Sequence, residues 1–175
     1  MPKQPIDLSD SFEKIPVQIF NDVKEGSQFA ARQIANLIKD KQAKKEKCVL
    51  GLATGSTPKS LYAELVRMHK EEGLSFKNVI TFNLDEYYPI DREAFQSYYN
   101  FMHRLLFNHV DIDLNNVHIL NGSLPKEEIK AHCAQYEKQI QDAGGIDLQI
   151  LGIGINGHIG FNEPGSGIYS KTRLI

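Results

Sequence analysis

The chain has 175 residues, 41% hydrophobic and 24% charged, enough for one domain with a real core. A formal net charge of -2 gives no electrostatic argument for nucleic acid or an acidic membrane surface as a partner. No apolar run approaches membrane-spanning length and the N-terminal Met1-Pro2-Lys3-Gln4-Pro5 has no signal-peptide core, so a soluble cytoplasmic protein with no membrane partner is expected.

In chain order, residues 1–14 read as an extended N-terminal lead-in and residues 15–175 as a single α/β domain. Residues 17–20, Val-Gln-Ile-Phe, form a short strand candidate. Asn21 or Asp22 then caps a helix whose apolar positions Ala30, Ile34, Leu37 and Ile38 fall on one face. The cationic run at 39–47, interrupted by Asp40 and Glu46, reads as the solvated end of that helix and a loop. Residues 48–52 make the next strand, leading into Ala53-Thr54-Gly55-Ser56-Thr57-Pro58. There Thr57 is a good N-cap, Pro58 suits the first helical position, and Leu61, Leu65 and Met68 are the buried stripe that follows.

Residues 79–84 are a third strand that delivers Asp85, Glu86 and Tyr87 at its C-terminal end. Ser97 opens a helix with Tyr98, Phe101, Met102, Leu105 and Leu106 on one side; residues 117–120 are a short strand. The helix after Pro125 carries Ile129, Cys133, Tyr136 and Ile140 at helical spacing and stops at Ala143-Gly144-Gly145. Residues 147–151 are the last strand, opening onto a loop with six glycines between Gly152 and Gly167. Cys48 and Cys133 both look like small buried hydrophobes of a reducing compartment rather than a disulfide.

Strands alternating with helices predict an α/β fold, a parallel β-sheet flanked by helices on both faces. Ligands in such sheets bind at the C-terminal ends of the strands. Three loops open there: 53–58, 85–89 and 154–165. The first, with Gly55, Ser56 and Thr57 at a helix N-terminus, is either an anion seat or a plainly capped turn. In the second, Asp85 and Glu86 point to opposite sides of an extended chain. Either one faces the site while the other makes a structural bond, or both are solvated. The third places His158, Glu163, Asn156 and Asn162 on a short, backbone-exposing path, which suits a general acid/base and its orienters. The set fits proton abstraction beside a carbonyl on a small phosphorylated molecule. It lacks metal-ligand spacing, so chemistry without metal or cofactor is expected. Gly152, Gly154 and Gly157 match the dinucleotide pattern G-x-G-x-x-G, but the sequence that follows cannot be the helix that pattern requires.

At these loops the chain resembles the glucosamine-6-phosphate deaminases. The pieces that carry the likeness are Leu-Ala-Thr-Gly-Ser-Thr-Pro at 52–58, Thr-Phe-Asn-Leu-Asp-Glu-Tyr at 81–87, Ser-Tyr-Tyr-Asn-Phe-Met at 97–102 and Gly-Ile-Asn-Gly-His-Ile-Gly-Phe-Asn-Glu-Pro-Gly at 154–165. The related 6-phosphogluconolactonases share the last loop as far as the histidine but lack Phe-Asn-Glu-Pro, and usually carry arginine at the position of Tyr87.

The resemblance implies a Rossmann-like fold of sugar-phosphate isomerase type and conversion of D-glucosamine 6-phosphate and water to D-fructose 6-phosphate and ammonium. In that role Asp85 takes the C2 proton and returns it to C1, and His158 moves the proton in ring opening. Glu163 and Asn156 support His158, and Gly55, Ser56 and Thr57 form part of the phosphate seat. Asn156 stands where some members carry aspartate; an amide orients His158 without stabilising its cation by charge, which alters the pH dependence of ring opening. The resemblance also implies a chain that continues past Ile175 and assembles into homo-oligomers. Ser166 and Arg173 match part of the site through which some members are regulated by N-acetylglucosamine 6-phosphate. Ile175 replaces the lysine such members carry, and Gly167 a frequent serine, which argues against that regulation. Two other readings are a sugar-phosphate-binding module without catalysis and a lactonase.

Overall fold

The computed structural model describes residues 15–175, so the lead-in expected at 1–14 lies outside the described residues. Among the described residues, helices α1 (Val23–Ala43), α2 (Pro58–Glu72), α3 (Tyr98–Leu105) and α4 (Ile129–Asp142) alternate with strands β1 (Cys48–Leu52), β2 (Val79–Asn83), β3 (Val117–His118) and β4 (Leu148–Gln149). All neighbouring strands are parallel, in the order β3-β2-β1-β4.

The side chains of β1 sort by strand periodicity. Cys48, Leu50 and Leu52 face a core built with Ala31, Ile34 and Ile38 of α1 and Leu61, Leu65 and Met68 of α2. Val49 faces the other way and packs with Ile80, Phe82 and Tyr136 of α4. Burial of β1 along its whole length is what a central strand covered on both faces requires. Tyr136 stands edge-on to Phe82, with centroids 5.6 Å apart. Its hydroxyl donates between the carbonyls of Asn83 at 2.8 Å and His118 at 3.0 Å, fastening the ends of β2 and β3 together.

Helix α1 starts as its sequence suggests. The Asp22 carboxylate accepts the Glu25 N–H at 2.8 Å, and Glu25 reaches back to accept the Asn21 N–H at 3.0 Å. The strand expected at 17–20 is not formed. Val17 and Ile19 stay 52% and 81% exposed, and Phe20 instead packs on Phe29 with ring centroids 5.2 Å apart. The sheet strands pair with one another and none pairs with this segment, so its β-forming residues lack the ladder that would fix them. Strands β3 and β4 are shorter than the sequence implies for the same reason, since each lies at an edge with a partner on one side only. Asp147 compensates at the start of β4. Its carboxylate accepts the Val49 N–H at 2.8 Å and pairs with Lys41 at 2.6 Å.

Outside the core, α1 and α2 are joined by an ion-pair network. Arg32 meets Glu72 at 2.7 Å, and Arg67 meets Glu64, Glu71 and Glu72. The Arg32 and Arg67 guanidiniums hold the Glu72 carboxyl well below its usual value, at about 2. A depressed folded-state pKa gives stability that is present above the ordinary carboxylate value and is lost as pH falls toward 2. Glu72→Gln is therefore expected to lower the urea midpoint at pH 7, and the gap from the parent should close as the pH drops from about 4.5 toward 2. A gap independent of pH would mean that the network contributes through packing instead.

Candidate functional site

The chain runs from β1 outward to β2 and β3, then returns to lay β4 on the opposite side of β1. Loops leaving the C-terminal ends of β1 and β4 diverge at that switch point and leave a crevice between them. A cavity of about 1160 Å³ lies there. Gly55, Ser56, Thr57, Asp85, His158 and Glu163, each singled out in the sequence, all line it. Asn156 does not line it but bonds to two residues that do.

Asp85 and Glu86 leave β2 toward opposite sides, as consecutive residues of an extended chain do. Asp85 borders the cavity, while Glu86 accepts backbone N–H groups at the start of α3. Burial, followed by the nearby Glu86 charge, pushes the Asp85 carboxyl up to about 6. A carboxylate of that basicity can accept a proton from carbon and still return it near neutral pH.

The glycine-rich loop carries an ordered relay. Asn156 Nδ2 donates to Glu163 Oε2 at 2.7 Å, and Asn156 Oδ1 lies 2.6 Å from His158 Nδ1. A carboxylate oxygen only accepts, so Glu163 fixes which way the Asn156 amide faces. The amide oxygen then makes Nδ1 of His158 the donor and leaves the Nε2 lone pair free. Glu163 thus reaches His158 through Asn156 and makes no direct bond of its own to the ring.

Two glycines let this loop close. A Cβ on Gly154 would come within 2.1 Å of the His158 ring, which lies across it. Gly160 has φ +61°, and a Cβ there would meet Leu84 at 2.9 Å and the Asp85 carboxylate at 3.2 Å. The loop bearing His158 therefore rests directly on the residue pair at the end of β2. Gly154→Ala is expected to displace the imidazole and break its bond to Asn156. Nitrogen-15 spectra of His158 should show the Nδ1–H tautomer in the parent and a mixture of tautomers in the variant; an unchanged spectrum would refute the packing.

Thr57 is already helical, at φ -62° and ψ -47°, and makes no capping bond, contrary to the expected N-cap. A capping residue needs extended backbone to bring its hydroxyl over the N–H groups of the second and third helical residues, and the helical angles at Thr57 do not provide it. The first turn of α2 consequently faces the cavity without a side-chain cap across its N–H groups, as an anion seat requires.

Ser166 lies exposed on the loop, its N–H bonded to Glu163 O at 3.0 Å. Arg173 donates to Asn162 Oδ1 at 3.0 Å and lines a neighbouring cavity of about 460 Å³, which shares Asp85 and Phe161 with the larger one. The first turn of α1 borders the main cavity through Asp22, Gly26 and Ser27, a contribution that its residue types do not announce, since none belongs to a recognisable binding motif. It is held there by the 2.6 Å contact between the Ser27 and Ser60 hydroxyls. Tyr98 is a second unforeseen lining residue. Its ring lies 4.8 Å from Tyr87, and the two lie 6.2 and 5.4 Å from Phe161. Aromatic residues near Asp85 were visible in sequence, but not their convergence from three segments.

These features define a parallel α/β protein with a ligand cavity at the switch point of its sheet. Residues 21–162 match the family described as glucosamine-6-phosphate isomerases/6-phosphogluconolactonase, and the chain belongs to that family. It is 50% identical over 157 residues to a glucosamine-6-phosphate deaminase of Clostridium botulinum, covering 90% of this chain and 62% of that protein. It is 49% identical over 163 residues to a putative glucosamine-6-phosphate deaminase-like protein of Bacteroides thetaiotaomicron, covering 93% of this chain and 25% of that one. The solved structure of a monomeric glucosamine-6-phosphate deaminase superposes with a TM-score of 0.82 at 43% identity, over 88% of this chain and 61% of that one. A 6-phosphogluconolactonase from Thermotoga maritima superposes at 0.65 with 29% identity, over 77% of this chain and 59% of that one. The chain thus spans less than two thirds of the length of these relatives. Among the described residues, no helix is long and apolar enough to cross a membrane.

Proposed function

We propose that this chain carries the proton-transfer site of a glucosamine-6-phosphate deaminase, and that Asp85 and His158 act on one amino-sugar phosphate. The observation that supports this reading is their presence on a single cavity, beside the uncapped first turn of α2. In the proposed sequence the substrate phosphate rests on Gly55, Ser56 and Thr57. His158 Nε2 takes the proton of the C1 hydroxyl and delivers it to the ring oxygen as the bond from C1 to that oxygen breaks, which opens the pyranose to a C1 aldehyde. Asp85 then removes the C2 proton, which gives an enolamine between C1 and C2, and returns it to C1, so that C1 becomes a hydroxymethyl group and C2 is left double-bonded to nitrogen as an iminium. Water adds to C2 of that iminium and the nitrogen leaves as ammonium, so the C2 carbonyl of fructose 6-phosphate forms only in this last step.

The relay from Glu163 through Asn156 favours this reading over a lactonase, because it gives the imidazole one fixed tautomer for ring opening. Cytoplasmic location fits a phosphorylated substrate and two buried free cysteines, Cys48 and Cys133. The family resemblance extends to homo-oligomers. A solved relative is described as monomeric, which favours catalysis within one subunit.

The test is ammonium release from glucosamine 6-phosphate, run beside exchange of the C2 proton with solvent deuterium. Both signals are expected. Binding of the sugar phosphate with neither signal would identify a binding module, and hydrolysis of 6-phosphogluconolactone in their place would identify a lactonase.

A further inference from the structure

Glu86 is held more completely than a loop carboxylate needs to be. Its Oε1 accepts the N–H of Tyr87 at 2.8 Å and of Tyr98 at 2.9 Å, and its Oε2 accepts the N–H of Tyr99 at 3.0 Å. Tyr98 and Tyr99 open α3, and their N–H groups have no partner inside the helix. Ser97 takes the next one, the N–H of Asn100, at 3.0 Å. Glu86 therefore supplies two of the three side-chain caps of this helix, and a carboxylate at that end also suits the helix dipole.

The helix is a firm anchor. Ser97 and Met102 are fully buried, and the Ser97 hydroxyl donates to Arg92 O at 2.6 Å. The bond to Tyr87 N–H clamps the peptide immediately after Glu86 as well. The chain on the C-terminal side of Asp85 is thus tied both to itself and to α3, while on the N-terminal side Leu84 N–H is bonded to Leu52 O at 2.9 Å. Asp85 sits between two fixed points.

We propose that Glu86 is the positioning residue for Asp85: it ties the following chain to the first turn of α3, aims the Asp85 carboxylate into the cavity, and keeps a second negative charge beside it. The inference rests on the reading of Asp85 as the base. Other groups also face Asp85. They are His158 and Glu163 from the glycine-rich loop, Asp22 at the start of α1, Tyr87 and Tyr88 from the loop after β2, Tyr98 from α3, Tyr136 and Glu137 from α4, and Lys171 and Arg173 from the C-terminal stretch, all on the two cavities that Asp85 borders. All of these remain in a Glu86 variant, so a comparison with the parent isolates the contribution of Glu86.

The experiment is a carbon-13 titration of aspartate-labelled protein without substrate, with the Asp85 signal assigned by its loss in Asp85→Asn. Asp85 is expected to titrate at about 6 in the parent. In Glu86→Gln it should titrate lower by roughly half a unit or more, since a like charge has been removed. Ser97→Ala, which loosens the same helix end but keeps Glu86 and its charge, should move Asp85 by less than Glu86→Gln does. An unmoved Asp85 in folded Glu86→Gln, or an equal shift in Ser97→Ala, would overturn the proposal. Should Glu86→Gln not fold, Glu86→Asp takes its place. It keeps the charge but loses reach, so the N–H groups of Tyr98 and Tyr99 should exchange faster with solvent and Asp85, less firmly held in the cavity, should titrate below about 6; an unmoved Asp85 there would overturn the proposal as well. If both variants unfold the chain, Glu86 serves folding alone and the proposal falls. Because no turnover is read, a chain that releases no ammonium would refute the proposed function and leave this titration standing.

Discussion

Asp85→Asn is expected to abolish ammonium release and C2 exchange while making the protein more stable. Removing a positioned general base costs about 10²- to 10⁴-fold in rate. An amide cannot accept the C2 proton at all, so the remaining activity should fall at or below the bottom of that range. The proposed phosphate seat at Gly55, Ser56 and Thr57 lies on a different loop, so binding of glucosamine 6-phosphate should survive. The gain in stability follows from the raised carboxyl, at about 6 against an ordinary 3.8. A carboxyl harder to ionise in the folded chain than in the unfolded one destabilises the fold once it is ionised. That cost is absent below the unfolded-state value, grows as pH rises through the folded-state value, and reaches about 3 kcal/mol above it. Asparagine carries no such charge, so the variant should gain up to about 3 kcal/mol at pH 7.5 and nothing at pH 3. Urea denaturation at both pH values reads the difference. In the parent, turnover should decline as the pH drops below about 6, where the base becomes protonated. Loss of activity together with loss of stability at pH 7.5 would show Asp85 to be a structural residue, and unchanged turnover would remove it as the base.

His158→Gln separates ring opening from isomerisation. Glutamine can still bond to the Asn156 amide but cannot take up and release a proton. Turnover of the cyclic substrate is expected to fall by about 10²- to 10⁴-fold. An analogue locked in the open-chain form needs no ring opening, so its C2 exchange should fall by less than about tenfold. Equal losses on both would remove the ring-opening role and leave His158 as a general support of the cavity.

Much of the fold is legible in the chain. The strand at Cys48–Leu52 has the bounds its apolar run suggests, and α2 buries the stripe its periodicity marks. Helix α1 buries Ile34 and Ile38 but turns Ala31 and Ala35 inward in place of Ala30 and Leu37, and α4 leaves Ile140 half-buried. What the sequence cannot supply is the partner. Val17 and Ile19 have strand-forming side chains, yet a strand exists only where a neighbour offers its ladder. The same holds at the edges, where β3 and β4 keep two residues each. Loop chemistry was visible as a set of residues but not as an order. The spacing of Asn156, His158 and Glu163 suggests that they meet. The glycine-governed turn decides that the amide stands in the middle. Thr57 shows the converse: the residue type is right for a cap, and the backbone angles at that position withhold it. The contribution of α1 to the cavity depends on a hydroxyl contact between two helices, which no local pattern announces.

The clustered rings of Tyr87, Tyr98 and Phe161 bear on how this protein can change over time. Each ring belongs to a different stretch of chain, and Tyr87 and Phe161 ride on the stretches that bear Asp85 and His158. On the proposed roles, altering the relay behind His158 would disturb ring opening alone, whereas shrinking any of these rings would slacken both arms at once. Lineages that remodel the substrate would therefore have to exchange these aromatics in concert, as a single heritable module.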